Sequence, residues 1–385
     1  MATDNNNKVL NVPNLRFPEF TEVWKDSNIG KCFDLYSGNT PSRMEKKHFI
    51  GDVNWITSGE LKEHYIGDTK ERISEKAAED NNLRILPVGT FVMAIYGLEA
   101  EGVRGTCSIT VKTSTISQAC MAFTPKSNVS NEFLYSWYKK HGNKIGIRYA
   151  QGTKQQNLSY DIIEKFPIRY PSIEEQEKLN TFISLLDKRI ATQNKIIEKL
   201  ESLIKGIYDK TFANFSKYLA LSSICKIQKG QQVNGEELSE FGEYYVMNGG
   251  IEPSGYYDKY NTMPNTISIS EGGNSCGYIQ FNTVPFWSGG HCYTLQGIST
   301  EYNTHFVYHY LKSKEKEIMA LRIGSGLPNI QKKDLEKYLI PVLSLETQKS
   351  IVNGINKIET KLKHEKDILS AYQTQKAYLL RNLFI

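Results

Sequence analysis

The sequence predicts an α+β protein in which a β-rich domain followed by a long helix occurs twice. Three observations predict this class. A segment near the middle of the chain recurs at its end, a helix-start signal opens each copy, and short apolar–polar alternations with turns precede each copy. The repeat fixes the boundaries of the other elements.

The repeat joins residues 152–212 to residues 324–384, which align without a gap at an offset of 172 positions. Eleven of the 61 aligned pairs are identical, including Ser172/Ser344, Gln176/Gln348 and Phe212/Phe384. A period this long excludes a solenoid and indicates duplication of a whole structural unit.

A helix-start signal opens each copy, SIEEQEKL at 172–179 and SLETQKSI at 344–351. Ser172 and Ser344 are expected N-caps, and Glu175 is expected to complete a capping box in the first copy. The helix that follows is predicted to end near Phe212 or Phe384. About forty residues at 1.5 Å per residue give a rod of roughly 60 Å.

An apolar series with alternating steps of four and three residues runs along each helix, which is typical of a coiled coil. The two series are Leu179, Ile183, Leu186, Ile190, Gln193, Ile197, Leu200, Ile204 and Ile207, and Ile351, Ile355, Ile358, Leu362, Glu365, Leu369, Tyr372, Lys376 and Leu379. Each has a polar residue at its fifth place, and Lys376 also interrupts the second. If the helices pair antiparallel and in register, Gln193 meets Glu365 in a polar layer; the alternative is that both side chains turn to solvent.

These patterns divide the chain into five segments. They are an N-terminal arm (1–27), a first β-rich head (28–151), a first helical spacer (152–216), a second head (217–323) and a second spacer (324–385). The heads differ from each other far more than the helices do. A duplicated scaffold with divergent heads suggests two readers of two different targets.

Composition is that of a soluble globular protein, with 39% hydrophobic and 23% charged residues in 385. The chain start lacks a signal-peptide pattern and no long apolar run occurs, so we expect a cytoplasmic protein. The net charge of +5 permits a nucleic-acid partner without demanding one. The six cysteines form no CxxC pair, which favours core thiols over metal ligands, and we expect no metal site.

Five stretches together resemble the specificity (S) subunit of type I restriction–modification systems, over essentially the whole chain. They are VPNLRFPEFTEVW, DVNWITSGEL, GTFVMAIYG, GTKQQNLSYDIIEKFPI with PSIEEQEKL, and the second copy LPNIQKKDLEKYLIPVLSLETQ. The resemblance implies two target recognition domains and two long helices that pair as an antiparallel coiled coil with pseudo-twofold symmetry. Each domain would read one half of a bipartite asymmetric DNA target, and the helices would set the spacing.

The resemblance also implies the partners. They are double-stranded DNA, two modification (M) subunits that carry S-adenosylmethionine and methylate adenine at N6, and two restriction (R) subunits that use ATP and Mg²⁺. This chain would hold no cofactor and would be a non-catalytic subunit. The sequence agrees, because it has no Pro-Pro dipeptide for the loop with which an N6-adenine methyltransferase holds its base.

Candidate DNA-contacting residues come from the loops that match variable recognition loops of the family. We expect contacts from Ser37, Asn39, Arg43, Ser58, Lys62, Arg104, Lys154, Gln155, Lys229, Gln231, Gln232, Asn248, Tyr256, Asn274 and His291. Arg43 and Arg104 suit guanine, and Gln155 or Asn248 suits adenine. Loops are normally polar, so structural roles remain open for each. Trp55, Trp287 and Tyr245 are interpreted as core aromatics.

Two other functions remain open from the sequence. An S-like scaffold or decoy protein would keep the helices without productive DNA reading. An enzyme with a duplicated catalytic domain would carry the same catalytic residues in both heads, and no such matching set is found.

Overall fold

The computed structural model describes residues 11–324, 326 and 328–385, so residues 1–10 of the N-terminal arm lie outside the described part. The chain divides into two compact units. The first unit comprises the chain up to Thr192 together with Leu369–Ile385, and the second comprises Gln193–Ile368. Each unit therefore contains one head and a part of both long helices. Within the described residues, no helix combines the length and the apolarity needed to cross a membrane.

The first unit is built from short strands and four helices before the first long helix begins. The strands are β1 Lys25–Asn28, β2 Phe33–Ser37, β3 Val53–Ile56, β4 Tyr65–Ile66, β5 Arg72–Ile73, β6 Phe91–Ala94, β7 Cys107–Thr110, β8 Ser114–Ile116, β9 Cys120–Pro125 and β10 Pro167–Tyr170. The helices are α1 Ile29–Cys32, α2 Glu75–Asp80, α3 Asn131–Tyr149 and α4 Tyr160–Ile163, followed by the long helix α5 Ile173–Thr211.

The second unit has a similar order of elements, with nine strands among the described residues where the first has ten, and with no helix at the place of α2. Its strands are β11 Tyr218–Ala220, β12 Lys226–Lys229, β13 Tyr244–Met247, β14 Tyr256–Tyr257, β15 Thr266–Ser270, β16 Ile279–Asn282, β17 Trp287–Ser288, β18 Cys292–Gln296 and β19 Leu339–Pro341. Its helices are α6 Leu221–Ile224, α7 Thr304–Ser313, α8 Glu315–Met319 and α9 Lys332–Glu336, followed by the long helix α10 Leu345–Leu383.

Four strands of the large sheet follow the same order in the two heads. That order is β2-β9-β6-β7 in the first head, where β4 adds a fifth strand beside β7, and β12-β18-β15-β16 in the second. The small sheet has the order β5-β3-β8 and β14-β13-β17, and its central strand is antiparallel to one neighbour and parallel to the other in both. The duplication seen in the helices therefore extends to the heads, whose sequences hide it.

A third, two-stranded sheet closes each head just before its long helix. In β1–β10 Ser27 lies opposite Ile168, and in β11–β19 Leu219 lies opposite Ile340. Ile168 and Ile340 are 172 positions apart, so the repeat and the strand register agree. Pro167 and Pro341 lie at the ends of these strands, where proline is tolerated because no further strand pairs there.

Serine caps begin both long helices, as predicted. Ser172 Oγ accepts from the N–H of Glu175 at 3.4 Å, and Ser344 Oγ accepts from the N–H of Thr347 at 3.2 Å. The capping-box role predicted for Glu175 is wrong. Its carboxylate accepts from Nε and Nη2 of Arg16 at 2.8 and 2.7 Å. Glu175 is only 2% exposed, and a buried carboxylate is stabilised by a charged partner. Its side chain therefore pairs with Arg16 instead of closing a capping box.

Gln176 and Gln348 tie the start of each long helix to its own head. Oε1 of Gln176 accepts from the N–H of Ser130 at 3.0 Å, and its Nε2 donates to the carbonyls of Asn128 and Pro171 at 2.8 and 3.1 Å. Gln348 makes the matching three bonds with Asn303, Glu301 and Leu343 at 2.8, 3.0 and 3.0 Å. Both side chains are buried, and each fills its hydrogen-bonding capacity with backbone groups.

The predicted apolar series lies against protein along its whole length, since all eighteen positions are buried or half-buried. Lys376, which interrupts the series, pairs with Asp187 inside the first unit. The last turn of each helix also enters a core. Phe384 packs on Phe133 with ring centroids 5.4 Å apart, and Phe212 packs on Phe306 at 6.0 Å. Burial of an aromatic ring of this kind contributes roughly 2–3 kcal/mol.

All six cysteines are free and buried. Burial raises the pKa of Cys107 and of Cys120 to about 12, which keeps both thiols protonated and unreactive. Their interpretation as core residues is confirmed.

Candidate nucleic-acid interface

A glycine turn leads from the first strand of the large sheet into the polar loops of each head. The N–H of Gly38 donates to Cys120 at 3.4 Å, and that of Gly230 donates to Cys292 at 2.8 Å. A Cβ at Gly38 would approach the carbonyl oxygen of Ile116 to 2.0 Å, and one at Gly230 would approach that of Gly289 to 2.2 Å. Only glycine fits this backbone crossing, so the loop leaves the sheet at the same place in both heads.

Two tryptophans secure these loops. Nε1 of Trp55 donates to the carbonyl of Asn39 at 3.2 Å, and Nε1 of Trp287 donates to the carbonyl of Gln231 at 2.9 Å. Each acceptor belongs to the residue directly after the turn glycine, Gly38 or Gly230. Trp55 is buried and Trp287 is half-buried, so both indoles act as anchors of the loop rather than as free stacking surfaces. Tyr245 stacks on Phe286 at 5.5 Å, which agrees with a core role.

In the second head, predicted residues converge on a carboxylate that the sequence did not point to. Nζ of Lys229 lies 2.6 Å from Oε1 of Glu271, and Nδ1 of His291 lies 3.4 Å from Oε2. The hydroxyl of Tyr293 donates to Oε1 at 2.9 Å. Burial and then Glu271 raise the pKa of Tyr293 above its usual value, which keeps this phenol a donor. We call these four residues the Glu271 cluster.

Other predicted residues of the second head surround the Glu271 cluster. Oδ1 of Asn248 accepts from the backbone N–H of His291 at 3.0 Å. Nε2 of Gln232 donates to the carbonyl of Val233 at 3.3 Å, and a Cβ on Gly290 would come within 2.4 Å of its Oε1. Asn274 is exposed on the loop that follows Glu271. Lys229, Gln231, Gln232, Asn248, Asn274 and His291 therefore lie on one group of adjoining loops.

Tyr256 lies elsewhere in the second head. It stands on β14 opposite Tyr245, and its backbone exchanges two hydrogen bonds with Ser239 at 3.0 and 3.1 Å. Its side chain is half-buried.

In the first head, Arg43 is already engaged by protein. Nη2 of Arg43 donates to Oε2 of Glu71 at 2.8 Å, with a second bond between Nη1 and Oε1. The guanidinium also lies over the rings of Phe49 and Trp55, at 4.5 and 5.3 Å. Because Arg43 donates to it, the pKa of Glu71 lies below its usual value. Both partners are exposed to solvent.

Arg104, Lys154 and Gln155 belong to a second group in the first head. Nη2 of Arg104 donates to Oε1 of Gln156 at 2.8 Å, which joins it to the loop that carries the other two. Lys154 and Gln155 are exposed, and Gly152, with φ of +109°, turns the chain ahead of them. This loop closes through the pair Gln151–Asn157, bonded at 2.8 and 2.9 Å.

The remaining predicted residues of the first head are placed individually. Ser37 is exposed at the end of β2. Ser58 and Lys62 flank Glu60, whose Oε2 accepts from the N–H of Thr57 at 2.9 Å and whose Oε1 accepts from that of Lys70 at 2.7 Å. Asn39 is exposed and donates from Nδ2 to the carbonyl of Asn81 at 3.4 Å. No observation here assigns a base or a phosphate to any of these residues, so all fifteen contacts stay predictions.

Gln193 and Glu365, the predicted polar layer, are in contact within the second unit. Nε2 of Gln193 donates to the backbone carbonyl of Glu365 at 3.0 Å and to its Oε2 at 2.5 Å. These residues are 172 positions apart, so each residue of the pair meets its own repeat partner.

The residues that sequence reasoning missed are the acceptors. Glu71, Gln156 and Glu271 hold the predicted basic side chains. Glu71 and Glu271 belong to no motif, and Gln156 was passed over beside Gln155 in the stretch GTKQQNLS. For Glu271 a signal exists, because in the sequence ISISE a carboxylate directly follows a strand that is otherwise buried. A buried carboxylate needs a charged partner, and a lysine nearby in the fold is the expected one.

Histidines and carboxylates do not assemble a metal site among the described residues. His309, one of two histidines on α7, is buried between Tyr208 and Asn356, with Nδ1 2.9 Å from the hydroxyl and Nε2 3.2 Å from Oδ1. His305 stacks on Phe281 at 4.2 Å. Both therefore pack as interpreted from the sequence.

Comparison with known proteins agrees with this geometry. The family model described as type I restriction modification DNA specificity domain matches residues 21–202 and again 216–371. The chain is 24% identical over 417 residues to the type I restriction enzyme MjaIX specificity subunit of Methanocaldococcus jannaschii, which covers 96% of this chain and 94% of the relative.

Two solved structures share the fold. The type I restriction–modification S subunit from M. genitalium matches with a TM-score of 0.66 and 20% identity, over 97% of this chain and 99% of that one. A chain from a structure on complex assembly and conformational transition of the type I system matches with a TM-score of 0.61 and 15% identity, over 93% and 96%. At these identities the likeness establishes the architecture and leaves the residues of the interface to be argued from this chain.

Proposed function

This chain belongs to the family of type I restriction–modification specificity subunits, and from that membership we propose that it is the DNA sequence-recognition and assembly subunit of a type I complex. Each head reads one half of a bipartite asymmetric target. The observation that carries this proposal is the pair of heads that share the order of four strands in the large sheet and of all three in the small sheet, and that differ in loop chemistry. Two recognition heads that share a strand framework and carry different loop side chains are suited to two different half-sites.

The heads act through the loops that leave the large sheet after Gly38 and Gly230. These loops present amide, hydroxyl and basic side chains, the groups that hydrogen-bond to base edges in the major groove. Lys62 and Lys154, which are also among the predicted contact residues, are exposed lysines suited to phosphates. Phosphate contacts orient the protein, whereas base contacts select the sequence.

The long helices pair as an antiparallel coiled coil and give the chain pseudo-twofold symmetry. This part of the proposal is supported by the bond between Gln193 and Glu365, because in an antiparallel pair of repeated helices only the midpoint residue meets its own copy. It is also supported by the second unit's contact between Tyr208 and Glu359, at 3.2 Å, which lies farther along the first helix and nearer the start of the second. The polar layer then fixes register and orientation.

The helix pair sets the spacing of the half-sites and docks two M subunits. Those partners supply S-adenosylmethionine and N6-adenine methylation, and two R subunits add ATP- and Mg²⁺-dependent cleavage. The chain contributes recognition and assembly in the cytoplasm and performs no chemistry of its own.

Reconstitution tests this function. The purified chain, an M subunit from the same system, DNA and S-adenosylmethionine are combined, with either protein omitted in turn. We expect methyl transfer at one bipartite motif only when both proteins are present. Methyl transfer by this chain alone would contradict the proposal and support an enzyme.

A scaffold or decoy without productive DNA reading is the second candidate. The bond of Arg43 to Glu71 is the observation that favours it, because a fork satisfied by protein is less available to a base. The two functions separate in the same assay. A decoy binds the M subunit and yields no sequence-selective methylation.

A further inference from the structure

Four positions at one end of the large sheet differ in chemistry between the two heads. Backbone bonds define their equivalence. Ile95 donates to the carbonyl of Ala119 at 2.9 Å, and Glu271 donates to that of His291 at 2.9 Å. Ser37 lies opposite Met121 in one sheet, and Lys229 lies opposite Tyr293 in the other. The matched sets are Ser37, Ile95, Ala119 and Met121 in the first head, and Lys229, Glu271, His291 and Tyr293 in the second.

The first head shows that the framework does not need these charges. Ile95 and Met121 are buried there at the positions of Glu271 and Tyr293. A buried apolar pair is usually at least as stable as a buried ionic one, because charges lose their hydration on burial. The charged set is therefore better explained by a role other than stability.

The geometry of the Glu271 cluster suits the display of donors at a surface. The carboxylate is 11% exposed, whereas Lys229 is 51% and His291 is 62% exposed. Three other hydrogen bonds fix the position of Glu271. The hydroxyl of Tyr293 donates to its carboxylate, its backbone N–H donates to the carbonyl of His291, and its carbonyl accepts from the N–H of Ile330. An ammonium has three donors, so two remain for a ligand after one is used by Glu271. Nδ1 of His291 lies 3.4 Å from Oε2 without a hydrogen bond to it, so His291 borders the carboxylate, whereas Lys229 is bonded to it.

Close backbone approach fixes the loop that carries His291 beside the Glu271 cluster. Gly249 has φ of +88°, and a Cβ there would lie 3.2 Å from Cβ of His291. Asn248 accepts from the His291 backbone at 3.0 Å. The surroundings of Glu271 are thus pre-arranged, and a pre-arranged site loses less entropy on binding.

We propose that Glu271 is a positioning residue for DNA reading by the second head, and that the Lys229 ammonium it holds donates to the O6 and N7 acceptors of one guanine in that head's half-site. The inference rests on the proposed function and deepens it by naming the base. Guanine is the base whose major-groove edge offers two adjacent acceptors. The first head, with Ser37 and Ile95 at the positions of Lys229 and Glu271, reads its half-site without this lysine.

The test is the methylated motif produced by the full chain with its M subunit, followed by binding to duplexes in which each base pair of that motif is changed in turn. Lys229→Ser and Glu271→Gln are both expected to relax the same single G·C position, with a loss of about tenfold in preference for it. Glu271→Asp, which retains the charge, is expected to keep part of that preference.

A triple variant guards against loss of folding. Lys229→Ser, Glu271→Ile and His291→Ala together copy three of the four residues of the first head, and Tyr293 keeps the carbonyl of Ile330 as an acceptor at 3.3 Å, so we expect the framework to accept them. This variant should still support methylation while no longer discriminating at that position. Lys226→Ser is the matched control, because Lys226 is exposed on the same strand outside the cluster, and it should leave the motif unchanged.

Two results would overturn the inference. One is an unchanged motif in the triple variant. The other is a uniform loss of affinity for all duplexes, with the salt dependence reduced by about one charge, which identifies Lys229 as a phosphate contact. If the wild-type chain and M subunit yield no bipartite motif at all, the proposed function fails instead.

Discussion

In each unit, side chains join the head to the long helices, and we call this region the junction. The two junctions share a buried glutamine and differ in the side chains beside it. Gln176 and Gln348 make the same three backbone bonds in the first and second units. Beside them, the first unit has His64, Asp187 and Lys376, whereas the second has His309, Tyr208 and Glu359. The shared glutamine is a connection that any head can use, because its partners are backbone groups. The side-chain connections are free to change with the head.

The histidine of the first junction lies beside two carboxylates that favour its charged form. Nε2 of His64 lies 2.9 Å from Glu132, Nδ1 lies 3.8 Å from Asp187, and the ring is stacked between Tyr65 and Tyr135 at 4.1 and 3.8 Å. Burial alone lowers the pKa of His64, but Asp187 and Glu132 outweigh it and the pKa is raised. Burial raises the pKa of Asp187, yet His64 and Lys376 lower it overall.

The histidine of the second junction is neutral. Burial lowers the pKa of His309 to about 4, and Asn356 opposes this only in part. A neutral ring that accepts from Tyr208 at Nδ1 and donates from Nε2 to Asn356 satisfies both neighbours. Burial also raises the pKa of Glu359. One junction is therefore ionic and the other is a neutral hydrogen-bonded one, so His64 and His309 should contribute to the pH dependence of stability with opposite signs.

The largest effect on stability is expected from replacing the buried glutamine that the two junctions share. Gln176→Ala and Gln348→Ala each leave one buried N–H and two buried carbonyls without this partner, and we expect each to lower the free energy of unfolding by about 2–4 kcal/mol. Urea unfolding measures this. Gln155→Ala, at an exposed glutamine, is the control. A cost below about 1 kcal/mol for either variant would contradict the conclusion that both glutamines connect their heads to the long helices in the same way.

The second prediction is the pH response. The pKa of folded His309 lies below the unfolded value, so its contribution is present above about pH 6.5 and is lost as pH falls toward 4. The raised pKa of His64 has the opposite sign, with stability present below about pH 6.5 and lost as pH rises through the folded pKa. The lowered pKa of Asp187 adds a contribution that is present above about pH 4 and is lost in stronger acid.

Tryptophan fluorescence separates the two responses, because Trp24, Trp55 and Trp137 lie in the first unit and Trp287 lies in the second. Urea titrations at pH 5 and pH 8 should show that His309→Gln reduces the stability that the second unit gains on going to pH 8, whereas His64→Gln increases the gain of the first unit. Each variant is compared with wild type, because burial lowers the pKa of His141 to about 4, which adds a gain at pH 8 to the first unit, and the raised pKa of Glu359 opposes the gain of the second. The same direction of change in both variants would contradict the contrast.

The third prediction concerns Lys376, whose repeat partner in the first helix is Ile204. Lys376→Ile leaves Asp187 half-buried with His64 as its remaining partner, and we expect a cost of about 1–2 kcal/mol. Adding Asp187→Leu should recover much of it, because removal of both charges avoids the desolvation penalty. Lys366→Ile, at the exposed pair with Glu201, is the control and should cost less than about 0.5 kcal/mol. A double variant no more stable than Lys376→Ile would contradict the pairing argument.

The smallest expected effect on stability is at the polar layer. Replacing both Gln193 and Glu365 with leucine should change the free energy of unfolding by less than about 1 kcal/mol or raise it, while loosening helix register. Sedimentation analysis should then detect oligomers formed by alternative helix pairing. A strictly monomeric double variant of unchanged hydrodynamic size would show that other contacts fix the register.

Much of the scaffold was predictable from sequence because its signals are local. Ser172 and Ser344 start helices that end at Thr211 and Leu383, within a residue or two of the predicted positions. The apolar series needed only the spacing of neighbours on one helix face. Even the contact of Gln193 with Glu365 followed from the repeat, because equivalent places in two copies can be compared without coordinates.

The site was less predictable because its partners are distant in sequence. Arg16 reaches Glu175 across 159 positions, and Lys229 reaches Glu271 across 42. The common strand order of the heads was also hidden, since Ser37, Ile95, Ala119 and Met121 share no chemistry with Lys229, Glu271, His291 and Tyr293. Residue type identified candidate donors, but the acceptors that hold them emerged only from the fold.

The exchange of residues 217–323 for the corresponding head of another family member tests the central claim most directly. The methylated motif of the exchanged chain, read with its M subunit by sequencing of methylated DNA, should differ from the original in one half only, with the spacing retained. A change in both halves, or in the gap between them, would contradict a division of labour between two separate readers.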